Sequence, residues 1–405
     1  MLWIKCAFEV NRLSSRRLAI DGDPAHLRRD LALTRIAREQ SMERVGIGII
    51  GCGHISEAYL KAAGTFPILD VRGVADLRLE AAQARADAFG LKAMTVDDLL
   101  ADASIDIVVN LTVPSAHVEV GLRAIDAGKH VHSEKPLGVR TQEARSLLDR
   151  AAARGLRVGC APDTFLGGAH QTCRKLVDEG AIGRPVAGTA FFMCPGHESW
   201  HPSPAFYYAA GGGPMLDMGP YYITELVNLL GPVEQVSGMT ARSRDRRTIT
   251  SQPLAGQTIE VEVATHVAGT LRFVSGAVVT IAMSFDVPQH RHAPIELYGT
   301  DATLLVPDPN RFGGAIEIGR TKAWSERPIE HAYADGNYRI IGVADLAHAI
   351  RSGRAHRASG ELASHVLEVM EAFQVSSKRG LHMTIESRPQ RPAMLPTELA
   401  RGELD

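Results

Sequence analysis

A lysine in the first half of the chain stands where its amine could act as a general acid or base. Lys135 lies in the run Ser133-Glu134-Lys135-Pro136, directly after a short segment that we predict to be a strand. A strand end on one side and a proline on the other would fix this amine. Desolvation and a neighbouring cation would lower its pKa, so that it could exchange a proton with a hydroxyl. The alternative is an ordinary solvated surface lysine.

Glycines after the first predicted strand are spaced for binding the phosphates of a dinucleotide. Val45 to Ile50 is a near-continuous apolar run, and Gly51-Cys52-Gly53-His54-Ile55-Ser56 follows it and opens a predicted helix. The first glycine would make the tight turn, and the second would let the backbone approach a pyrophosphate at the helix N-terminus. Glycine pairs also occur in many ordinary turns, so the flanking strand and helix carry this prediction.

An acidic residue at the end of the second predicted strand completes the pattern. Asp76 stands where a carboxylate would accept hydrogen bonds from the adenosine ribose. Because this carboxylate would repel a 2'-phosphate, we predict NAD as the cofactor. NADP stays an alternative, since the nearby Arg78 could bind that phosphate. The predicted cofactor site contains Gly51, Gly53, His54, Ile55, Asp76 and Arg78.

A second loop is predicted at the same edge of the sheet. Thr112-Val113-Pro114-Ser115-Ala116-His117 follows a strand that ends at Asn110, and open α/β sheets bind ligands at this carboxyl edge. In the alternative interpretation, Ser115 only caps a helix and Pro114 shapes the turn. We add Thr112, Pro114, His117, Glu134 and Lys135 to the predicted cofactor site.

Two side chains in the second half could meet Lys135. Asp217 and Tyr221 are four residues apart in a helix predicted from Met215 to Leu230, so both project from one face. We predict that Asp217 positions Lys135 or a substrate hydroxyl and that Tyr221 assists proton transfer. Alternatively, Tyr221 is a core aromatic and Asp217 caps the helix.

Polar and aromatic residues in three loops could line a substrate pocket. Imidazoles and an indole offer hydrogen bonds and a stacking face for a sugar or polyol. Histidines grouped this way also suggest a metal site, but their spacings match no single ligand helix, and we predict no metal. Ordinary loop polarity is the alternative. The predicted substrate residues are Asp163, Phe165, Trp200, His201, Tyr221, His290 and His292.

The elements that carry these residues divide into two predicted domains. In residues 43–162, apolar runs alternate with helical periodicity, which is typical of an α/β Rossmann domain with a parallel sheet. Residues 163–385 contain helices followed by serial extended segments, which predicts an α+β domain with a large, mostly antiparallel open sheet. Residues 1–42 are interpreted as a disordered or loosely docked extension, and 386–405 as a tail that forms a wrapping strand or a loose end.

Composition excludes several classes of protein. Among 405 residues, 44 Lys and Arg oppose 46 Asp and Glu without a block of like charge, so no nucleic-acid partner is expected. No apolar run approaches the roughly 18 residues of a membrane span. Five cysteines without a CxxC pair predict no disulfide framework and a reducing cytoplasm. Ser15-Arg16-Arg17-Leu18 resembles an export signal, but no apolar segment follows it.

Four motifs occur in succession along the chain: G-x-G-x-x-S, T-x-P-x-x-H, A-G-K-H-V-x-x-E-K-P and Gly211-Gly212-Gly213-Pro214-Met215-Leu216-Asp217-Met218-Gly219-Pro220-Tyr221. Together they resemble the Gfo/Idh/MocA family of NAD(P)-dependent oxidoreductases, over about residues 43–385. The resemblance implies that Lys135 is the catalytic acid/base and that Lys135-Pro136 is a cis peptide. It also implies that the second sheet forms a homo-oligomer interface, in a dimer or tetramer. Many members have histidine at the position of Tyr221, whereas the glucose-fructose oxidoreductase branch has tyrosine.

The resemblance and the residues predict hydride transfer between nicotinamide C4 and a secondary alcohol of a sugar, glycoside or cyclic polyol. Two other functions stay open. One is an NAD-dependent glycosidase that works by transient oxidation and elimination. The other is a non-catalytic NAD-binding regulatory protein.

Overall fold

The first part of the fold is a six-stranded parallel sheet with helices between its strands. The computed structural model describes residues 44–405, so the predicted extension at 1–42 lies outside it. The strand order is β3-β2-β1-β4-β5-β6. The strands are β1 Val45–Ile50, β2 Leu69–Ala75, β3 Ala93–Met94, β4 Ile107–Asn110, β5 His130–Ser133 and β6 Val158–Cys160. The helices are α1 His54–Ala63, α2 Leu79–Phe89, α3 Val96–Ala101, α4 His117–Asp126 and α5 Thr141–Ala153.

The apolar run at the start of the described chain forms the central strand of this sheet. All six residues of β1 are buried, as expected for a strand covered on both faces. Helices α2 and α5 coincide with the stretches of helical periodicity in the sequence at 79–89 and 141–153. The short β3 and α3 were not predicted, because two and six residues are too few to show a period. The predicted Rossmann fold is confirmed.

The second part of the fold is a nine-stranded sheet in the order β16-β15-β14-β13-β7-β12-β11-β8-β17. Its described strand pairs are antiparallel except for the parallel pair of β7 and β12. Its strands are β7 Pro185–Met193, β8 Val233–Ala241, β11 His266–Phe273, β12 Val278–Ser284, β13 Ile295–Gly299, β14 Thr303–Val306, β15 Ile316–Arg320, β16 Ala323–Arg327 and β17 Met383–Thr384. The helices of this part are α6 Gly168–Asp178, α7 Pro214–Leu230, α8 Ile341–Ser352 and α9 Gly360–Arg379. This is the predicted α+β arrangement.

The apolar and polar pattern predicts one extended strand from Thr258 to His266, and this prediction was wrong. The segment from Thr258 to His266 is not continuous, because Thr258–Glu260 (β10) pairs with Arg246–Thr248 (β9) in a separate two-stranded hairpin. The long sheet resumes only at His266. Three-residue strands carry too little alternation to be separated from a neighbouring strand by pattern alone.

The two faces of the nine-stranded sheet differ. Helices α7 and α9 pack on one face, where Val236, Leu271 and Val279 are fully buried. The other face, which we call the open face, presents Met239 and Val278 with 79% and 40% of their surface exposed.

The C-terminal segment packs against the fold without forming a strand after β17. The backbone N–H of Leu395 donates to Oε1 of Gln171 at 2.7 Å, and the Leu395 side chain is buried. The tail is therefore neither the wrapping strand nor the loose end that was expected. No helix among residues 44–405 is long and apolar enough to cross a membrane.

Candidate active site

Lys135 and Asp217 form an ion pair between the two parts of the fold. Lys135 follows β5 and precedes a cis proline, as the resemblance implied. Its Nζ lies 3.0 Å from Oδ1 of Asp217 and 2.7 Å from the Asp217 carbonyl oxygen. The side chains are 15% and 18% exposed, so the pair is largely shielded but open to a small ligand. The predicted meeting of ammonium and carboxylate is present in the structure.

Tyr221 presents its ring to this pair. Asp217 lies in the first turn of α7, and Tyr221 lies one turn further along on the same face. The Nζ of Lys135 is 5.1 Å from the centroid of the Tyr221 ring, within the range of a cation–π contact. The phenol ring therefore forms one wall of the site.

The local charges keep Lys135 protonated and Asp217 ionised. Burial alone would lower the pKa of Lys135, but Asp217, Tyr221 and Glu134 outweigh it and raise that pKa. Burial would raise the pKa of Asp217, yet above all the Lys135 ammonium outweighs this and lowers it to about 2. The resting site is thus an ammonium–carboxylate pair.

His197 reaches the same carboxylate but was absent from the predicted site residues. Its Nε2 lies 3.4 Å from Oδ2 of Asp217, while Lys135 holds the other oxygen. The predicted substrate residues Trp200 and His201 lie beside it, with ring centroids 5.4 Å apart for Trp200 and His197. The grouping of histidine and tryptophan in this loop was the only sequence signal for His197.

Arg339 is the second residue that the sequence did not reveal. Its Nη2 donates to Oδ1 of Asn310 at 2.6 Å. Burial would lower the pKa of Arg339, but Tyr221, Glu134 and Asp163 raise it. Arg339 therefore places a buried positive charge near the ring that faces Lys135.

Asp163 and Phe165 do not face the cleft, which corrects their predicted role. Asp163 is 1% exposed, and its Oδ2 accepts the backbone N–H groups of Ile340 and Gly342, each at 3.0 Å. Ile340 has φ 109°, a backbone angle that is strained for an L residue, and these bonds stabilise it. Phe165 is a buried core side chain. Asp163 therefore acts on the site only through the segment that carries Arg339.

His290 and His292 are also not brought to the cleft. Both are exposed, and the ring of His292 packs on Phe191 with centroids 4.5 Å apart. Phe192, the next residue of β7, contacts Tyr222 of α7. Because neighbouring strand residues point to opposite faces, Phe191 and His292 lie on the open face, away from Asp217.

The glycine turn after β1 has the geometry that a dinucleotide requires. Gly51 has φ 106°, and a Cβ there would lie 2.6 Å from the carbonyl carbon of Leu111. Gly53 precedes α1 without a side-chain cap, and a Cβ there would meet nothing within 4 Å. The backbone at Gly53 therefore borders open space at the N-terminus of α1, which is the positive end of the helix. His54 is exposed and Ile55 half-buried at this end.

The loop after β2 supplies the carboxylate and an apolar surface. The two oxygens of Asp76 accept the backbone N–H groups of Cys52 and Arg78, both at 2.9 Å. Leu77 and, on the loop after β4, Val113 are large apolar side chains with 93% and 62% exposure. Exposed apolar side chains on these two loops offer a contact surface to a flat aromatic ring. These residues fit an adenosine ribose and base.

His117 and Glu134 hold the loops of this edge in place. The ring nitrogens of His117 lie 2.6 Å from the carbonyl oxygen of Pro136 and 3.0 Å from that of Thr112. Glu134 accepts the Tyr59 hydroxyl at 2.8 Å and the backbone N–H of Lys135 at 2.9 Å. The Thr112 hydroxyl donates to Asn110 at 2.7 Å, and Pro114 begins the next helical turn.

The described part of the chain contains no cluster of three His, Cys, Asp or Glu side chains arranged to hold a metal ion.

Comparisons with known proteins cover both parts of the fold. Residues 45–161 match the model of an oxidoreductase family with an NAD-binding Rossmann fold, and residues 170–305 match the model of the GFO/IDH/MocA C-terminal domain. The chain is 28% identical to the 1,5-anhydro-D-fructose reductase of Ensifer adhaerens, over 69% of this chain and 80% of that protein. It is 32% identical to the dTDP-3,4-didehydro-2,6-dideoxy-alpha-D-glucose 3-reductase of Streptomyces violaceoruber, over 58% of this chain and 68% of that protein.

A solved structure of levoglucosan dehydrogenase, in complex with NADH and L-sorbose, shares this fold. The TM-score is 0.74 at 22% identity, over 85% of this chain and all of that one. The motif resemblance, the two matched domains and these relatives agree: the chain belongs to the Gfo/Idh/MocA family of oxidoreductases and carries an NAD-binding Rossmann domain.

Proposed function

We propose that this oxidoreductase interconverts a secondary alcohol of a sugar, glycoside or cyclic polyol with the corresponding ketone, with Lys135 as the acid/base. The observation that carries the proposal is the shielded Lys135–Asp217 pair, 3.0 Å between Nζ and Oδ1. Lys135 follows β5, and the glycine turn follows β1 of the same parallel sheet, so both lie at its carboxyl edge. A proton carrier is thus held at the edge where a dinucleotide binds.

The chain's own residues handle the proton. Bound nicotinamide supplies the hydride acceptor or donor at C4. For reduction, the Lys135 ammonium donates to the carbonyl oxygen as it becomes a hydroxyl. For oxidation, a neutral Lys135 amine takes the hydroxyl proton. Because the pKa of Lys135 is raised, the resting site is ready for reduction, and oxidation first requires loss of that proton.

The substrate class is supported by the loop beside the ion pair and by the relatives. Trp200, 60% exposed, offers a flat indole face to the C–H face of a sugar ring, and His201 adds a hydrogen-bonding group. The two curated relatives are named as reductases of a sugar and of a nucleotide-linked sugar.

NAD is the proposed cofactor. The carboxylate of Asp76 stands where a 2'-phosphate would enter and would repel it. Arg78 on the same loop is 80% exposed, so its guanidinium could pair with the 2'-phosphate of NADP. We also propose that the protein works in the reducing cytoplasm, which is supported by free thiols at the four cysteines of the described chain, Cys52, Cys160, Cys173 and Cys194.

A substrate screen tests this proposal. The enzyme is incubated with NAD or NADP and a panel of sugars, inositols and glycosides, and reduced cofactor is followed by absorbance. We expect NADH formation with at least one member and a preference for NAD. An aryl glycoside belongs in the panel, because release of phenol without net NADH would indicate elimination and contradict the proposal. NAD binding without turnover on any alcohol, or on any ketone with NADH, would also contradict it.

A further inference from the structure

His197 is held rigidly in a buried position beside Asp217. It is 7% exposed, and its ring packs between those of Tyr207 and Phe285, with centroid distances of 4.2 Å and 4.5 Å. Its backbone N–H donates to the Tyr208 hydroxyl at 3.1 Å. The ring therefore has little freedom to turn toward other partners.

The loop around His197 is anchored by a buried cation. Arg247, from the β9–β10 hairpin, is 4% exposed and donates to Oε1 of Glu198 at 2.6 Å and to the carbonyl oxygen of Pro195 at 2.9 Å. Glu198 also accepts the Tyr208 hydroxyl. Because these contacts hold Pro195 and Glu198, which lie on either side of His197 in the sequence, they fix the backbone of His197.

Trp200 determines which nitrogen of His197 carries the proton. The indole N–H of Trp200 donates to Nδ1 of His197 at 3.1 Å. An indole N–H is only a donor, so Nδ1 must present its lone pair, and the proton of the neutral ring is on Nε2. The N–H of His197 therefore points toward Asp217.

Among residues 44–405, this N–H has no hydrogen-bond partner in the resting site. Nε2 is buried, and its separation of 3.4 Å from Oδ2 of Asp217 does not meet hydrogen-bond geometry. Buried polar atoms without a partner are rare in proteins and call for an explanation. Here the nearest acceptor is the carboxylate that holds Lys135.

The explanation lies in the proton cycle of Lys135. While Lys135 is an ammonium, Asp217 is balanced by a cation through Oδ1 and its carbonyl oxygen. When Lys135 becomes an amine, that cation is lost and the buried carboxylate needs another donor. His197 is the donor already aimed at the second oxygen.

We propose that His197 is a positioning residue: when Lys135 gives up its proton, Oδ2 of Asp217 turns to accept the Nε2–H that Trp200 directs toward it. The inference rests on the proposed function, since it acts through Lys135 as the acid/base. His197 makes the neutral amine more accessible and so favours oxidation at lower pH.

The groups that face Lys135 and Asp217 decide in which direction the loss of the His197 donor moves the pH dependence of oxidation. Lys135 faces Asp217, Tyr221 and Glu134. Asp217 faces Lys135 and His197, with Cys194, Tyr207 and His201 nearby. Without the Nε2 donor, more of the Asp217 charge acts on Lys135, so the ammonium is stabilised. The rate of oxidation should then rise only at higher pH.

The test is the pH dependence of kcat for NAD-linked oxidation in two matched variants. His197→Gln keeps an amide N–H near the position of Nε2, whereas His197→Asn keeps one only near Nδ1. We expect His197→Asn to lower kcat at neutral pH about tenfold and to move the rising limb up by about one pH unit. KM should change only a few-fold, and His197→Gln should recover most of the loss. The exposed His382→Asn serves as a control.

Two further variants keep the inference falsifiable. Trp200→Phe removes the indole N–H, so that either nitrogen of His197 can carry the proton. It should shift the rising limb of the pH profile in the same direction as His197→Asn, by a smaller amount. Overlapping profiles for wild type, His197→Asn and Trp200→Phe would overturn the inference. Should the His197 variants fail to fold, the Trp200→Phe profile alone decides. If Lys135→Ala keeps full turnover, the proposed function fails and this inference falls with it. If Lys135→Ala is inactive and the profiles overlap, only this inference fails.

Discussion

At the scale of residues, the site depends on how one buried lysine keeps its charge. Desolvation would strip the proton from Lys135, and the Asp217 carboxylate at 3.0 Å outweighs that effect. Tyr221 contributes through its ring face, 5.1 Å from the ammonium. Its ring and its hydroxyl could have separate roles, and substitution can distinguish them.

Substitutions of Tyr221 separate those roles. Tyr221→Phe keeps the ring over Lys135 and should lower kcat by less than about fivefold. Tyr221→Leu removes the cation–π contact, worth about 0.5–2 kcal/mol, and should lower kcat by about tenfold or more. Steady-state kinetics of both variants checks this, with Tyr222→Phe on the same helix as the control. A Phe variant as slow as the Leu variant would mean that the hydroxyl itself carries the proton.

Local rules explain which site residues could be predicted from the sequence. Lys135 stands between a strand end and a proline, and Asp217 and Tyr221 are one helical turn apart, so each is visible in a short window. His197 depends on how Tyr208 and Arg247 fold its loop. Arg339 lies on a loop held by Asp163, far away in sequence. Such placements follow from tertiary packing and leave no periodic signal.

At the scale of elements, the turn between β1 and α1 assigns different tasks to its two glycines. Gly51 has φ 106° and lies against the Leu111 backbone, so it serves the fold. Gly53 has φ −70° and faces open space at the helix end, so its role is to leave room for the cofactor. The G-x-G pattern predicted the turn, but only the structure separates the two tasks.

Alanine at each glycine should give opposite results. Gly51→Ala should lower the free energy of unfolding by about 1–3 kcal/mol, since an L residue is strained there and its Cβ meets backbone atoms. Gly53→Ala should leave that free energy nearly unchanged and raise the Kd of NAD about tenfold, or about 1.4 kcal/mol. Urea unfolding and calorimetric titration measure both quantities.

Gly64→Ala, at the other end of α1, is the matched control, because Gly64 has φ −63° and nothing within 4 Å of its Cβ position. Equal NAD affinity in Gly53→Ala and Gly64→Ala would show that the α1 N-terminus does not hold the cofactor.

At the scale of the whole molecule, the open face of the nine-stranded sheet is the surface that a second copy would cover. Nine strands at about 4.8 Å spacing span about 40 Å, enough for the roughly 800 Å² per partner of a specific interface. Met239, Val278 and Trp324 expose large apolar side chains on this face. The alternation in β8 and β12 could be predicted from sequence. The helices within residues 44–405 pack on one face of the sheet, and the sequence does not say which partner covers the other face.

A charge on this face tests the proposed homo-oligomer. The wild-type protein should have the mass of a dimer or tetramer by light scattering. The double variant Met239→Asp/Val278→Asp should be monomeric, because it would bury two unpaired carboxylates in the interface. Leu381→Asp, which alters an equally exposed leucine outside the sheet, should not change the mass. A monomeric wild-type protein would refute the proposal.

The most direct test of the central claim is the turnover of Lys135→Ala on a substrate found in the screen. General acid–base catalysis contributes about 10² to 10⁴ in rate, so we expect a loss of at least about 10² in kcat. The Kd of NAD should stay within a few-fold, which shows that the cofactor domain remains folded, and the exposed Lys378→Ala should behave as wild type. Turnover of Lys135→Ala equal to that of wild type would contradict the account.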